Sequence, residues 1–279
     1  MNNSWTPYKT EMLLQLLTDR DLALLQDIEQ FRLLSTRQIQ RLHFGIGHAT
    51  ISAATRGTVR VLGRLEQRGF IVRLERRIGG IKHGSAANIW QLTATGERLL
   101  RALRGDSARR RFVEPGAPFT DHTLEVADLA VRLREAARDG RFDLLELDTE
   151  PECWREFTAS HGGAQWLKPD LYVVTANISI EEHAFVEIDR ATEHLPAILR
   201  KCAVYQRYFQ AGSEQNQQGI FPAVVWVVPG EQRAAKLRAS IRDDPALTDT
   251  LFRITSAQNA LAMLTPKDEQ PVTERRNHQ

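Results

Sequence analysis

At Gly69 the hydrophobic pattern of the chain changes period. Ahead of it, Val59, Leu62 and Leu65 recur at steps of three, while Arg56, Arg60, Arg64 and Arg68 recur at steps of four. Beyond it, Phe70-Ile71-Val72-Arg73-Leu74-Glu75-Arg76 reads as a short strand. The spacing predicts a helix over Thr55–Arg68 with arginines along one side, ended by Gly69 at the position where a left-handed backbone is easiest for glycine. That helix holds four arginines and one acid, Glu66. A face that is merely solvated would interleave Glu with Arg for pairing at steps of four, so a partner is expected, either a polyanion or another protein.

Two helices are predicted upstream. Residues 20–33 place Leu22, Leu25, Ile28, Phe31 and Leu33 near a helical period behind Thr18 or Asp19 as cap; Arg37–Phe44 turns Ile39, Leu42 and Phe44 inward behind Ser35 or Thr36. The turn Gly45-Ile46-Gly47-His48 leads to the arginine helix. Downstream, Asn88–Leu92 is a second short strand, so Gly79–Ser85 reads as the tip of a basic hairpin, and a helix from Ala94 to Leu103 follows. This order resembles the winged helix-turn-helix domain of DNA-binding proteins over roughly residues 12–104. The resemblance implies that Thr55–Arg68 lies in the major groove and that Arg76–Ser85 is the wing. Arg56 and Arg60, near the helix start, are then candidates for base edges, with Arg64 and Arg68 continuing the row; Arg76, Arg77 and Lys82 are candidates for phosphates.

Charge separates the two parts of the chain. Net charge over 279 residues is +2, yet residues 1–110 hold 18 Lys and Arg against 9 Asp and Glu, while residues 111–279 hold 19 against 26. A basic domain joined to an acidic one suggests that the first meets a polyanion and that the second has another task. The length supports two cores. No stretch approaches the roughly 18 apolar residues of a membrane helix, and the opening MNNSWTPYKTEM lacks a secretory core, so a cytoplasmic protein without a membrane partner is expected. Cys153 and Cys202 form neither a CxxC pair nor a zinc spacing and are expected as free, partly buried thiols.

Between Gly105 and Pro118 charge, Gly and Pro mix without apolar period, which sets a domain boundary near residue 112. A helix His122–Ala137 follows, capped by Thr120 or Asp121, then strands at Phe142–Leu147, Leu171–Val174, Ala184–Ile188 and Ala223–Val228, a weaker one at Leu251–Ile254, and helices at Leu195–Phe209 and Gln232–Ile241. Carboxylates gather at the strand ends. Glu150 ends the first strand, Asp170 opens the second, and Glu187 and Asp189, two residues apart, are expected on one side of the third. Such a group is costly in mutual repulsion unless a cation or a basic side chain neutralises it.

At Pro169-Asp170 and Glu187 the chain looks like the PD-(D/E)xK nuclease superfamily, a resemblance covering roughly residues 118–230. It implies that Asp170 and Glu187 bind magnesium and that a lysine two positions after the second acid helps activate water. That position is Asp189 here, and Lys201, in the following helix, is the candidate replacement. The expected catalytic set is therefore Asp170, Glu187, Asp189 and Lys201. The alternative is an inactive scaffold in which these carboxylates pair with Arg190, Arg200 or Lys201. Tyr205 and Tyr208 as covalent relaxase nucleophiles are disfavoured, because His122, His161, His183 and His194 make no metal-binding cluster in the sequence.

A winged helix followed by FVEIDRATE, Lys201 and Tyr205 is similar to the replication-relaxation family of plasmids and integrative elements of actinobacteria. The fold class expected is α+β: an N-terminal winged helix-turn-helix (12–110), a linker (111–118), a C-terminal α/β restriction-endonuclease-like domain (119–265) and a polar, disordered tail (266–279). The function implied is DNA binding in replication or transfer of a mobile element, with a degenerate nuclease-like domain. Double-stranded DNA is the partner expected, with a homodimer and the element's replication or transfer proteins as further partners. A magnesium-dependent endonuclease, and a winged-helix transcription regulator with a C-terminal dimerisation or sensing domain, are the alternatives.

Overall fold

The computed structural model describes residues 6–45, 47, 50–74, 88–105, 116–158 and 162–267. The fold is α+β, and the chain divides into two compact units, Met1–Val131 and Arg132–Gln279. The division falls inside a helix, α6 (Ala117–Arg138), and not in the linker expected near residue 112. Side chains of the first unit explain why: Gln38 Nε2 donates to Leu124 O at 2.8 Å and Arg41 pairs with Asp128 at 2.7 Å, which ties the early turns of α6 to that unit. The linker core 106–115, the wing residues 75–87 and the tail 268–279 lie outside the described residues.

In the first unit the elements preceding α6 are α1 (Pro7–Leu14), α2 (Asp19–Phe31), β1 (Leu34–Ser35), α3 (Thr36–His43), α4 (Ile51–Gln67), β2 (Ile71–Leu74), β3 (Ile89–Leu92) and α5 (Ala94–Arg104). Reciprocal capping fixes two helix starts: Thr18 with Asp21 on α2, and Ser35 with Gln38 on α3. The three strands pair antiparallel in the order β1-β3-β2, with Leu34 opposite Trp90 and Ile71 opposite Leu92.

Helix α4 begins earlier than its pattern suggests, at Ile51 behind a Thr50 cap, and it ends where Gly69 takes φ +73°. Its buried side is Ala54, Thr58, Leu62 and Leu65. Val59, expected inside, is 57% exposed. The steps of three from Val59 fit only the last turns of a helix whose seam runs at four, four and three.

In the second unit, beyond α6, come β4 (Asp143–Thr149), β5 (Arg155–Thr158), β6 (Ala164–Leu167), β7 (Leu171–Ala176), β8 (Glu181–Ile188), α7 (Leu195–Ala211), α8 (Ser213–Gln218), β9 (Ala223–Val228), α9 (Glu231–Arg242), β10 (Phe252–Ser256) and α10 (Ala260–Met263). Five strands form one sheet in the order β10-β9-β8-β7-β4. Strand β8 runs antiparallel to β7 and parallel to β9. The near-continuous apolar run of β9, AVVWVV, suits a strand with neighbours on both sides. Helices α7 and α9 cover one face, where Ile198, Cys202, Leu237 and Ile241 pack with Tyr172, Phe185 and Trp226. On the other face Thr175 donates to Leu264 O beside α10 at 2.7 Å. The β5–β6 hairpin has no counterpart in the predicted strands. Both cysteines are free and buried. Among the described residues no helix is long and apolar enough to cross a membrane.

Candidate functional site

Antiparallel pairing brings the start of β7 and the end of β8 together at one end of the strands, in the middle of the sheet. Leu171 faces Val186 in the ladder, and Asp170 extends it by donating its amide to Val186 O at 3.0 Å. The Asp170 side chain then turns to the strand end, where Oδ2 accepts from Ile188 N at 2.7 Å. Glu187, opposite Trp226 on β9, is 1% exposed.

The charge of Glu187 is met from α7. Lys201 Nζ donates to Oε2, and the Tyr205 hydroxyl donates to Oε1 at 2.6 Å. Burial raises the Glu187 carboxyl to about 7; the Asp170 charge adds to the rise, while Lys201 and Tyr205 oppose it. On Lys201 burial works against the charge, but Glu187 and Asp170 outweigh it and hold the ammonium above its ordinary range. Asp170, Glu187 and Lys201 thus act on one another through their charges.

Asp189 stands apart from this group. Strand β8 ends at Ile188, and the Asp189 amide continues the ladder by donating to Val227 O at 2.9 Å, but its carboxylate has partners other than those of Glu187. Its Oδ1 accepts from Ala191 N at 2.8 Å, and its Oδ2 accepts from Arg233 Nε at 2.7 Å. Arg233 lies on α9, 44 residues away, and also donates to Glu193 O at 2.6 Å. No local pattern in the sequence signals that pair.

Among the described residues, no group of three or more His, Cys, Asp or Glu is placed to hold a metal ion. Two carboxylates remain for magnesium, Asp170 and Glu187. Oxygen is the donor that magnesium prefers, and a carboxylate oxygen offers about two acceptor directions, so the single bonds from Lys201 and Tyr205 do not exhaust Glu187. Carboxylate oxygens of this kind are chemically suited to a divalent cation.

Neither tyrosine is placed as a nucleophile. Tyr205 is fully buried against Glu187, and Tyr208 donates to buried Glu214 at 2.8 Å, an oxygen that also receives Arg155 Nε at 2.9 Å. Burial, followed by the neighbouring carboxylate, pushes both phenols above their ordinary range. His183 is bound between the Tyr172 hydroxyl at 2.8 Å and Glu181 at 2.6 Å.

The arginine row of α4 divides. Arg56 and Arg60 are exposed, and neither takes part in an ion pair with another described residue. Arg64 Nη2 reaches both oxygens of Asp21, at 2.7 Å to Oδ2, and Arg68 donates to Leu16 O. Asp21 is buried because it caps α2, so it draws the arginine one turn beyond Arg60 into an internal role. Arg76, Arg77 and Lys82 lie outside the described residues.

No curated protein matches the chain. Two solved structures resemble it slightly. One is the restriction endonuclease FokI bound to DNA, at 13% identity and a TM-score of 0.25, with 92% of this chain and 50% of that one covered. The other is the restriction endonuclease FokI, at 13% identity and a TM-score of 0.28, with 88% of this chain and 45% of that one covered. The chain spans about half the length of these structures, and so slight a likeness does not bear on activity. The replication-relaxation model matches residues 25–224, a span that takes in α4, Asp170, Glu187 and Lys201, and the chain belongs to the replication-relaxation family.

Proposed function

We propose that the chain is a DNA-binding protein acting in the replication or transfer of a mobile genetic element, with α4 as the helix that enters the major groove of a winged helix-turn-helix unit. The observation that carries this is the pair Arg56 and Arg60, exposed on α4 within the basic part of the chain. Two guanidinium groups one turn apart with no carboxylate partner among the described residues suit phosphates or guanine edges. The nuclease-like domain is read as a degenerate scaffold: both Glu187 oxygens are engaged within the protein, and Asp189, at the position of the missing lysine, is engaged by Arg233.

The test is duplex binding by the full chain at several salt concentrations. Affinity is expected to fall steeply with salt, and Arg60→Ala to lower the slope of log K against log salt by roughly one. Binding that ignores salt, or variants at Arg56 and Arg60 that bind like the parent, would overturn the proposal.

The coupling of Asp170, Glu187 and Lys201 favours a second reading, a magnesium-dependent deoxyribonuclease. Asp170 and Glu187 would hold the ion, which supplies Lewis-acid polarisation of a phosphodiester oxygen and of water. Lys201 fixes Glu187 and places a positive charge beside it. Incubating supercoiled plasmid with the protein, with and without magnesium or manganese, separates the readings: nicking that disappears in Asp170→Asn supports the nuclease, and intact plasmid with bound protein supports the scaffold.

A further inference from the structure

The first two turns of α4 carry an apolar stripe that DNA binding by arginine does not explain. Ile51, Thr55 and Val59 follow one another at steps of four; Ile51 is 83% exposed and Val59 57% exposed. Single exposed aliphatic residues are ordinary on a protein surface, whereas an aligned stripe bordered by charge is characteristic of a binding face. By helical angle Ile51 lies above the buried seam of Ala54, Thr58 and Leu62, yet it remains exposed. The first turn of α4 therefore projects beyond the core that the seam covers.

Thr55 adds a third methyl to the stripe. Its hydroxyl donates to Ile51 O at 2.9 Å and accepts from Gln40 Nε2 at 3.1 Å. With that oxygen engaged by the protein, the methyl is the chemically open part of the side chain. Arg56 and Arg60 each follow a stripe residue by one position, about 100° around the helix, so the stripe and the cationic line run side by side.

We infer that Ile51, Thr55 and Val59 read thymine methyl groups in the major groove, making the protein selective for sites in which thymines lie beside the bases or phosphates taken by Arg56 and Arg60. This rests on the DNA-binding reading above. The C5-methyl of thymine is the apolar feature of the major-groove edge, and small aliphatic and threonine methyl groups are what meet it. The adjacent arginines favour a polyanion over an apolar protein surface as the occupant.

The experiment uses the full chain and a random-sequence duplex library at physiological salt. The most enriched duplex is then synthesised with each thymidine in turn replaced by deoxyuridine, which removes only the methyl. At one to three positions affinity should drop roughly fourfold, the ~0.8 kcal/mol of one buried CH₂-sized group at 1.4 kcal/mol per tenfold. A chain carrying both Ile51→Ala and Val59→Ala should bind the thymidine and deoxyuridine duplexes alike at the positions those residues contact. Both side chains are exposed, so the folded state should survive, as a thermal melt would verify. Equal binding of thymidine and deoxyuridine duplexes by the parent, with Arg60→Ala still weakening both, would overturn the inference and leave the DNA interface standing. Absence of any enriched duplex, together with no effect of Arg56→Ala or Arg60→Ala, would overturn both. If the double variant changes sedimentation behaviour and not DNA binding, the stripe is a contact between copies and the inference falls.

Discussion

The Tyr205 hydroxyl donates to Glu187 Oε1 at 2.6 Å because it stands four residues after Lys201 on the same helix. Residues at that spacing share a helix face, so α7 offers an ammonium and a phenol to the two oxygens of one carboxylate. Each donor limits the movement of the acceptor, which leaves Glu187 fixed against the sheet with Asp170 beyond it on the neighbouring strand.

A pH dependence follows from this carboxyl. Its folded value is about 7, raised by burial, against an ordinary 4.5 in the unfolded chain. Between those values the folded state holds a proton that the unfolded state has released. The contribution to stability is therefore complete below about pH 4.5 and is lost as pH rises through about 7. Urea unfolding in chelator-containing buffer should show the stability of the parent minus that of Glu187→Gln falling by about 3 kcal/mol from pH 4.5 to 7.5. A constant difference would contradict the assignment. Tyr205→Phe removes a bond that lowers the Glu187 value, so in that variant the loss should move to higher pH.

Much of the second unit is legible in its sequence, because the apolar runs that follow Asp170 and lead into Glu187 are short and continuous, as sheet interiors require. The helix period also marks Lys201 and Tyr205 as neighbours. Two of the features that are not legible depend on contacts distant in the chain, and a third is too short to show a pattern. Arg233 reaches Asp189 across 44 residues, Arg64 reaches Asp21 across 43, and the β5–β6 hairpin is too short to stand out from loop. Val59 misleads for a different reason: a step of three is compatible with two phases of one helix, and burial of Thr58 decides between them.

Arg233 is expected to hold the segment after β8. It binds the Asp189 carboxylate and Glu193 O at once, and Asp189 is almost fully buried. Removing one partner of a buried pair leaves an uncompensated charge, so Arg233→Ala should destabilise the protein by roughly 3 kcal/mol. Replacing both partners, with Asp189→Asn added, should recover much of that loss in the same denaturation measurement. A double variant as unstable as the sum of its parts would show that the two side chains do not act on each other.

Gly96 sits in the first turns of α5, where a Cβ would run into the Phe70 carbonyl oxygen at the entrance to β2. That carbonyl also receives Thr93 N at 3.0 Å, so it cannot withdraw without breaking the link between the strand and the helix cap. Gly96→Ala should therefore destabilise by roughly 1–3 kcal/mol, against the usual gain from alanine inside a helix. A melting temperature equal to or above that of the parent would show that α5 can shift away from β2.

Arg60 and Arg64 lie one turn apart on α4 and should respond to substitution in opposite ways. Arg60 is exposed, so Arg60→Ala should change stability by no more than about 0.5 kcal/mol while weakening duplex binding. Arg64 neutralises buried Asp21, which also accepts the Thr18 amide at the start of α2. Its loss should cost roughly 3 kcal/mol of folding free energy, because the carboxylate stays in place without its cation. At a temperature where Arg64→Ala remains folded, its salt slope for duplex binding should equal that of the parent, whereas the slope of Arg60→Ala should be lower by roughly one. Melting curves and binding at two salt concentrations on the same two variants decide the matter. A reduced slope for Arg64→Ala with an unchanged melting temperature would return Arg64 to the DNA-binding row.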